Sequence, residues 1–260
     1  MRKEPRRASS PAGFTIVEML IVILLIGILL AIAIPAFLRT RSLARLVACK
    51  SNLRQIYVAL SAYATANDNL LPTNEPGGEA WCPWPTGGET PGPLREDYST
   101  NWLGSRSRPW GLGKLHRELG DNLQVLFCPN DGFRDAAAHR SAFLADRPLD
   151  TGETPDCSYL YRGRDAPDKV DTGAIRQFRN AADQVRALAM DYYHSGMSRY
   201  FHDNRISILF EDGSVLDAAV SRGMEQDRFV VPAGGFADAP VRAAVPRIWR
   251  RADTIFESDD

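Results

Sequence analysis

Residues 19–38 read MLIVILLIGILLAIAIPAFL, twenty residues without a charge, bounded by Glu18 and Arg39. At about 1.5 Å per residue, a helix of that length spans roughly 30 Å, the thickness of a bilayer's hydrocarbon core. The rest of the 260-residue chain is ordinary: 44% apolar and 24% charged overall, with a net charge of −1. That is too apolar for a disordered tail and too weakly charged for a protein that coats nucleic acid. The uncharged segment argues against a simple soluble enzyme. It is either removed as a signal, kept as an anchor, or used to build something.

What precedes it narrows the choice. Residues 1–13, MRKEPRRASSPAG, hold four Arg/Lys against one Glu. A basic stretch before an apolar run keeps that end cytoplasmic. A secretory signal starts the same way, then has about 7–15 apolar residues and a small-residue cleavage site, and Ala31-Ile32-Ala33 imitates such a site. Here the run is longer and Glu18 interrupts its start. A carboxylate at that depth costs on the order of 2–3 kcal/mol unless it finds a partner. A disposable signal has no reason to carry that cost.

The stretch Gly13-Phe14-Thr15-Ile16-Val17-Glu18-Met19-Leu20 resembles the prepilin cleavage and methylation motif of type IV pilins and type II secretion pseudopilins. The resemblance implies a cut after Gly13 by prepilin peptidase and N-methylation of the new first residue, Phe14. Glu18 then stands at the family's acidic position, and Pro35 where the family commonly bends its helix. Proline lacks an N–H and clashes with the preceding turn, so a kink or loosening is expected there. The implied partners are the peptidase, the inner membrane and other pilin or pseudopilin subunits, in a homo- or hetero-polymer made through the N-terminal helix. The Phe14 amine of one subunit would pair with Glu18 of its neighbour, since each charge is expensive in lipid alone. The implied placement is a single pass of the bacterial inner membrane, N-terminus cytoplasmic and head periplasmic.

Beyond Pro35 a helical pattern continues. Leu46, Cys49, Leu53, Ile56, Leu60 and Tyr63 form one apolar stripe, with Arg39, Arg41, Arg45, Lys50 and Arg54 off it. The expected fold is α+β and type IV pilin-like: a long helix over about residues 15–66, half transmembrane and half amphipathic, packed on an antiparallel β-sheet head. The segments are a leader (1–13), a membrane and assembly helix (14–38), an amphipathic half (39–66) and a head (67–260). Residues 71–113 carry seven Pro, eight Gly and four Trp. They predict an irregular excursion around a small aromatic core. Short helices are expected near 114–119 and 136–144, strands at 123–127, 158–161 and 185–190, and a hairpin over 205–217 about the Asp212-Gly213 pair, whose two residues both tolerate positive φ.

Two further echoes lie in the head. His202, nine residues, then Asp212-Gly213 resembles a His-x9-Asp-Gly signature of pilin-like proteins. Cys128-Pro129-Asn130-Asp131 resembles that group's Cys-Pro-Ser-Asp element, with Asn130 in place of serine. His202 and Asp212 invite a metal or acid–base role, but ligand spacing is lacking, and support of the turn is the preferred reading. The resemblance leaves room for calcium near Asp212 or Asn67–Asn69 with no ligand set assigned; no other cofactor, no metal and no catalytic residue is expected. None of the four cysteines forms Cys-x-x-Cys. In an oxidising space Cys128–Cys157 or Cys82–Cys128 are the expected bridges, and Cys49 a free core thiol. Three functions follow: a filament subunit, which is favoured; a pilin-like binding module presenting its loops to a secreted substrate or carbohydrate; or a membrane-tethered enzyme using His202. Nucleic acid is not an expected partner.

Overall fold

The computed structural model describes residues 15–72, 99–132, 134–152, 154–162, 185–191, 193–194, 205–219, 230–231, 249 and 252–254. Helix α1 runs Ile16–Ala66 without interruption through Pro35. Thr15 caps it: its backbone N–H and hydroxyl both donate to Glu18 Oε2, at 2.8 and 2.7 Å, and the Glu18 N–H returns to Thr15 Oγ1 at 3.3 Å. This reciprocal pattern is a capping box. The helix stops at Asn67-Asp68-Asn69, where Asp68 and Asn69 take positive φ and Asn69 N–H bonds the Ala64 carbonyl.

The chain divides into two compact units, residues 1–44 and 45–260. In the first, every large apolar side chain from Ile16 to Leu38 is uncovered, with 44–81% of its surface exposed. Among the described residues α1 is the one helix long and apolar enough to cross a membrane.

The second unit holds the core. Its sheet has five antiparallel strands in the order β1-β2-β3-β5-β6, with β1 Ser99–Trp102, β2 Asp156–Arg162, β3 Ala187–Asp191, β5 Arg205–Phe210 and β6 Val215–Ala219. Two residues each of β4 (Tyr193–His194) and β7 (Val230–Val231) pair in parallel apart from it. The α1 stripe Cys49, Leu53, Ile56, Leu60 and Ala64 packs on one face of the sheet, against the row Tyr161, Ala189, Leu209 and Val215. The alternate row, Leu160, Met190 and Ile208, is fully buried as well. At that face Arg162 clamps Asp253 with two bonds of 3.0 Å, and Trp249 lies under its guanidinium. Sheet strands covered on both faces read as nearly continuous apolar runs, as ISILF at 206–210 does.

Three details differ from expectation. Residues 123–127 were expected as a strand, but Leu123–Leu126 is a 3₁₀ helix. Leu123, Val125 and Leu126 are all buried, so the run has no alternating face, and a short apolar run does not distinguish the two forms. The β5–β6 turn uses positive φ at Gly213 only. Gly213 N–H bonds the Phe210 carbonyl and Phe210 N–H the Ser214 carbonyl, giving a three-residue loop that ends in a left-handed glycine. The expected helix at 136–144 is present as α2 (Ala136–Leu144), capped by Asp135. Near 114–119 the helical residues are a 3₁₀ turn over Gly111–His116.

Candidate functional site

Gly13, Phe14 and His202 lie outside the described residues, as do Cys82, Trp81 and Trp84. Glu18 is exposed and bonded to its own Thr15. The spacing Thr15-x-x-Glu18 is the sequence signal for that box. Asp212 is exposed, and its Oδ1 accepts from Ser214 N–H at 2.8 Å. Gly213 sits against the Tyr57 ring of α1.

The densest chemistry of the head lies where α1, the 128–132 turn and β3 meet. Residues 128–132 close a turn, with Asp131 N–H on the Cys128 carbonyl. Three α1 residues on one helical face hold it. Arg45 donates to Asn130 Oδ1 at 2.7 Å, Asn52 donates to the Phe127 carbonyl at 3.0 Å, and Cys49 lies beside Cys128 between them. Asp131 anchors the other side, accepting from Arg134 at 2.9 Å and from Ser158 at 2.6 Å. Arg134 also bonds Asp156 Oδ2, whose Oδ1 faces His139 Nδ1 at 2.9 Å. That nitrogen is also 3.1 Å from Asp156 N–H. The nitrogen accepts from the amide when it carries no hydrogen and donates to the carboxylate when it carries one, so the two contacts alternate.

The expected Cys128–Cys157 bridge is not formed in this structure. Cys128 lies beside Cys49, while Cys157 Sγ, buried in β2, donates to the Tyr159 carbonyl at 3.4 Å. Burial pushes the Cys157 thiol up to about 12.

Beneath the turn, Cys49 Sγ donates to Asp191 Oδ1 at 3.1 Å and stands 3.2 Å from Tyr159 Oη. Asp191 Oδ2 accepts the Ser207 N–H at 3.1 Å. Complete burial pushes the Asp191 carboxyl up to about 7, against the pull of the Cys49 and Ser207 hydrogen bonds. Burial likewise raises the Cys49 thiol and the Tyr159 phenol. Further along, Ser207 Oγ donates to Asp217, which pairs with Lys50 at 2.5 Å. The helix-facing side of the sheet is therefore apolar toward Tyr161 and polar toward Tyr159. The sequence stripe counted Cys49 as core and missed the polar half, whose only hint was Arg45 and Asn52 flanking the same helical face.

Residues 9–34 match the family described as the prokaryotic N-terminal methylation motif. The chain is 39% identical over 56 residues to the type IV major pilin protein PilA of Myxococcus xanthus, covering 22% of this chain and 26% of that one. It is 38% identical over 63 residues to the competence protein ComGC of Halalkalibacterium halodurans, 24% of this chain and 61% of that one. It is 30% identical over 100 residues to the type II secretion system core protein G of Pseudomonas aeruginosa, 38% of this chain and 68% of that one. In the first two relatives the match spans less than two thirds of their length. No solved structure matches the chain significantly.

Proposed function

Since this chain belongs to the type IV pilin and type II secretion pseudopilin family, we propose that it is a structural subunit of a secretion or pilus-like filament. One observation carries the reading. Seventeen large apolar side chains between Ile16 and Leu38 lie uncovered on α1. Each is worth about 1.5–3 kcal/mol when buried, a sum far larger than the about 5–15 kcal/mol net stability of a domain. Such a helix needs lipid or its own kind around it, and both are supplied by a subunit that waits in the membrane and then joins a helical bundle.

On this reading the peptidase removes residues 1–13 and Phe14 is methylated. Residues 14–38 cross the inner membrane with the N-terminus cytoplasmic. Residues 39–66 carry the periplasmic head, 67–260. In the single chain Glu18 closes its own capping box. In the filament it exchanges Thr15 for the Phe14 ammonium of an adjacent subunit, which fixes axial register. Partners are other pilin-like subunits and the peptidase, and no reaction is assigned.

Incorporation into sheared filaments of the native host tests the proposal. The wild-type chain is expected in them. Glu18→Ala is expected to be inserted and trimmed but left in the membrane. Filaments that lack the wild-type chain, or that take up Glu18→Ala at the wild-type level, contradict the reading.

A further inference from the structure

Cys49, Cys128 and Asp191 come from three elements distant in sequence, yet their Sγ, Sγ and carboxylate oxygen atoms all lie within 4.8 Å of one another, and all three residues are buried. We propose that these three side chains bind a zinc ion that staples α1 to the 128–132 turn and to β3. The inference does not depend on the filament reading.

The donor set fits the ion. Two sulfurs and a carboxylate suit a borderline-soft, redox-inert cation that prefers tetrahedral coordination. Bonds of about 2.3 Å to sulfur and about 2.0–2.2 Å to oxygen give tetrahedral edges of roughly 3.5–3.8 Å. The 3.1 Å from Cys49 Sγ to Asp191 Oδ1 opens to that with a small side-chain movement. Tyr159 Oη, 3.2 Å from Cys49 Sγ, stands at the same kind of distance and completes the shell or donates to the bound thiolate. The outer contacts are in place as well. Ser207 N–H holds Asp191 Oδ2, aiming Oδ1 at the sulfurs, as supporting hydrogen bonds do in built metal sites. Arg45 and Asn52 fix the turn that carries Cys128.

The carboxylate argues for a cation over a disulfide. A Cys49–Cys128 bond would consume the S–H that Cys49 donates to Asp191. It would leave a carboxylate only 2% exposed with that donor removed, an expensive outcome. A divalent ion takes the place of that S–H at the carboxylate and cancels two of the three negative charges of the thiolates and carboxylate, leaving one facing the Ser207 N–H and Tyr159 Oη, and the thiol protons released on binding pass to the buffer. Because the ligands come together only in the folded head, binding contributes to folding.

The experiment uses the full chain, purified in detergent without chelator. Elemental analysis is expected to find stoichiometric zinc, and cobalt substitution a thiolate-to-cobalt charge-transfer band in the near ultraviolet. Chelation should lower Tm and zinc restore it. Cys128→Ser and Asp191→Asn should lose metal and band, while Cys157→Ser keeps both. Should the first two variants fail to fold, the wild-type metal content, cobalt band and chelator shift still decide. Wild-type protein that shows no cobalt band and no Tm response to zinc overturns the proposal. So does a Cys49–Cys128 disulfide in mapped peptides, or equal metal uptake by Cys128→Ser.

Discussion

The ring of Tyr57 on α1 lies against Gly213 in the β5–β6 turn, so closely that a Cβ at Gly213 would stand 2.8 Å from Tyr57 Cε1. Gly213 also holds φ at +85°. The helix and the hairpin meet at a position that glycine alone fills without strain.

Gly213→Ala should therefore destabilise the head by about 2–4 kcal/mol, the sum of a left-handed backbone cost and a steric one. Denaturant titration measures it. In a Tyr57→Ala background the steric part disappears, and the same substitution should cost only about 1–2 kcal/mol. Equal costs in both backgrounds would contradict the contact.

Asp253 joins Arg162 and the Ala187 N–H. Arg162 is 4% exposed, so Asp253→Ala leaves a buried guanidinium without this partner. The expected loss is about 3–5 kcal/mol, read as a lower denaturation midpoint. Arg162→Met with Asp253→Ala should recover much of it. A single variant as stable as wild type would sink the claim.

The acid limb of stability should report Asp156. Burial alone would raise its carboxyl, but the His139 hydrogen bond and the Arg134 charge outweigh that and hold it below 3.8. A folded pKa below the unfolded one means the unfolded state binds more protons on acidification. The stabilisation is present above 3.8 and is lost as pH falls through the folded value. Asp156→Asn should lower stability at neutral pH and flatten this limb in pH-dependent denaturation; an unchanged slope would contradict the assignment.

Much of this was legible in the sequence because one physical signal dominated it. Twenty uncharged residues define the apolar half of α1, and the 3–4 spacing from Leu46 onward defines the packed half. Asn67-Asp68-Asn69 marks its end because these residue types accept positive φ. The hairpin followed from Asp212-Gly213. The junction beneath the 128–132 turn was not legible. Nothing local links Cys49 to Cys128 or Asp191; they meet because Arg45 and Asn52 grip the turn while antiparallel pairing sets Asp191 beside Tyr159. Leu123–Phe127 failed for a different reason, as buried apolar residues without alternation carry no period to read.

The central claim is that residues 1–13 are a leader and Phe14 the start of an assembly helix. Intact-mass and N-terminal peptide analysis of the membrane form, from cells containing prepilin peptidase, tests it most directly. The account predicts a chain that begins at a mono-methylated Phe14. A retained Met1, or a new terminus after Ala33, would contradict it.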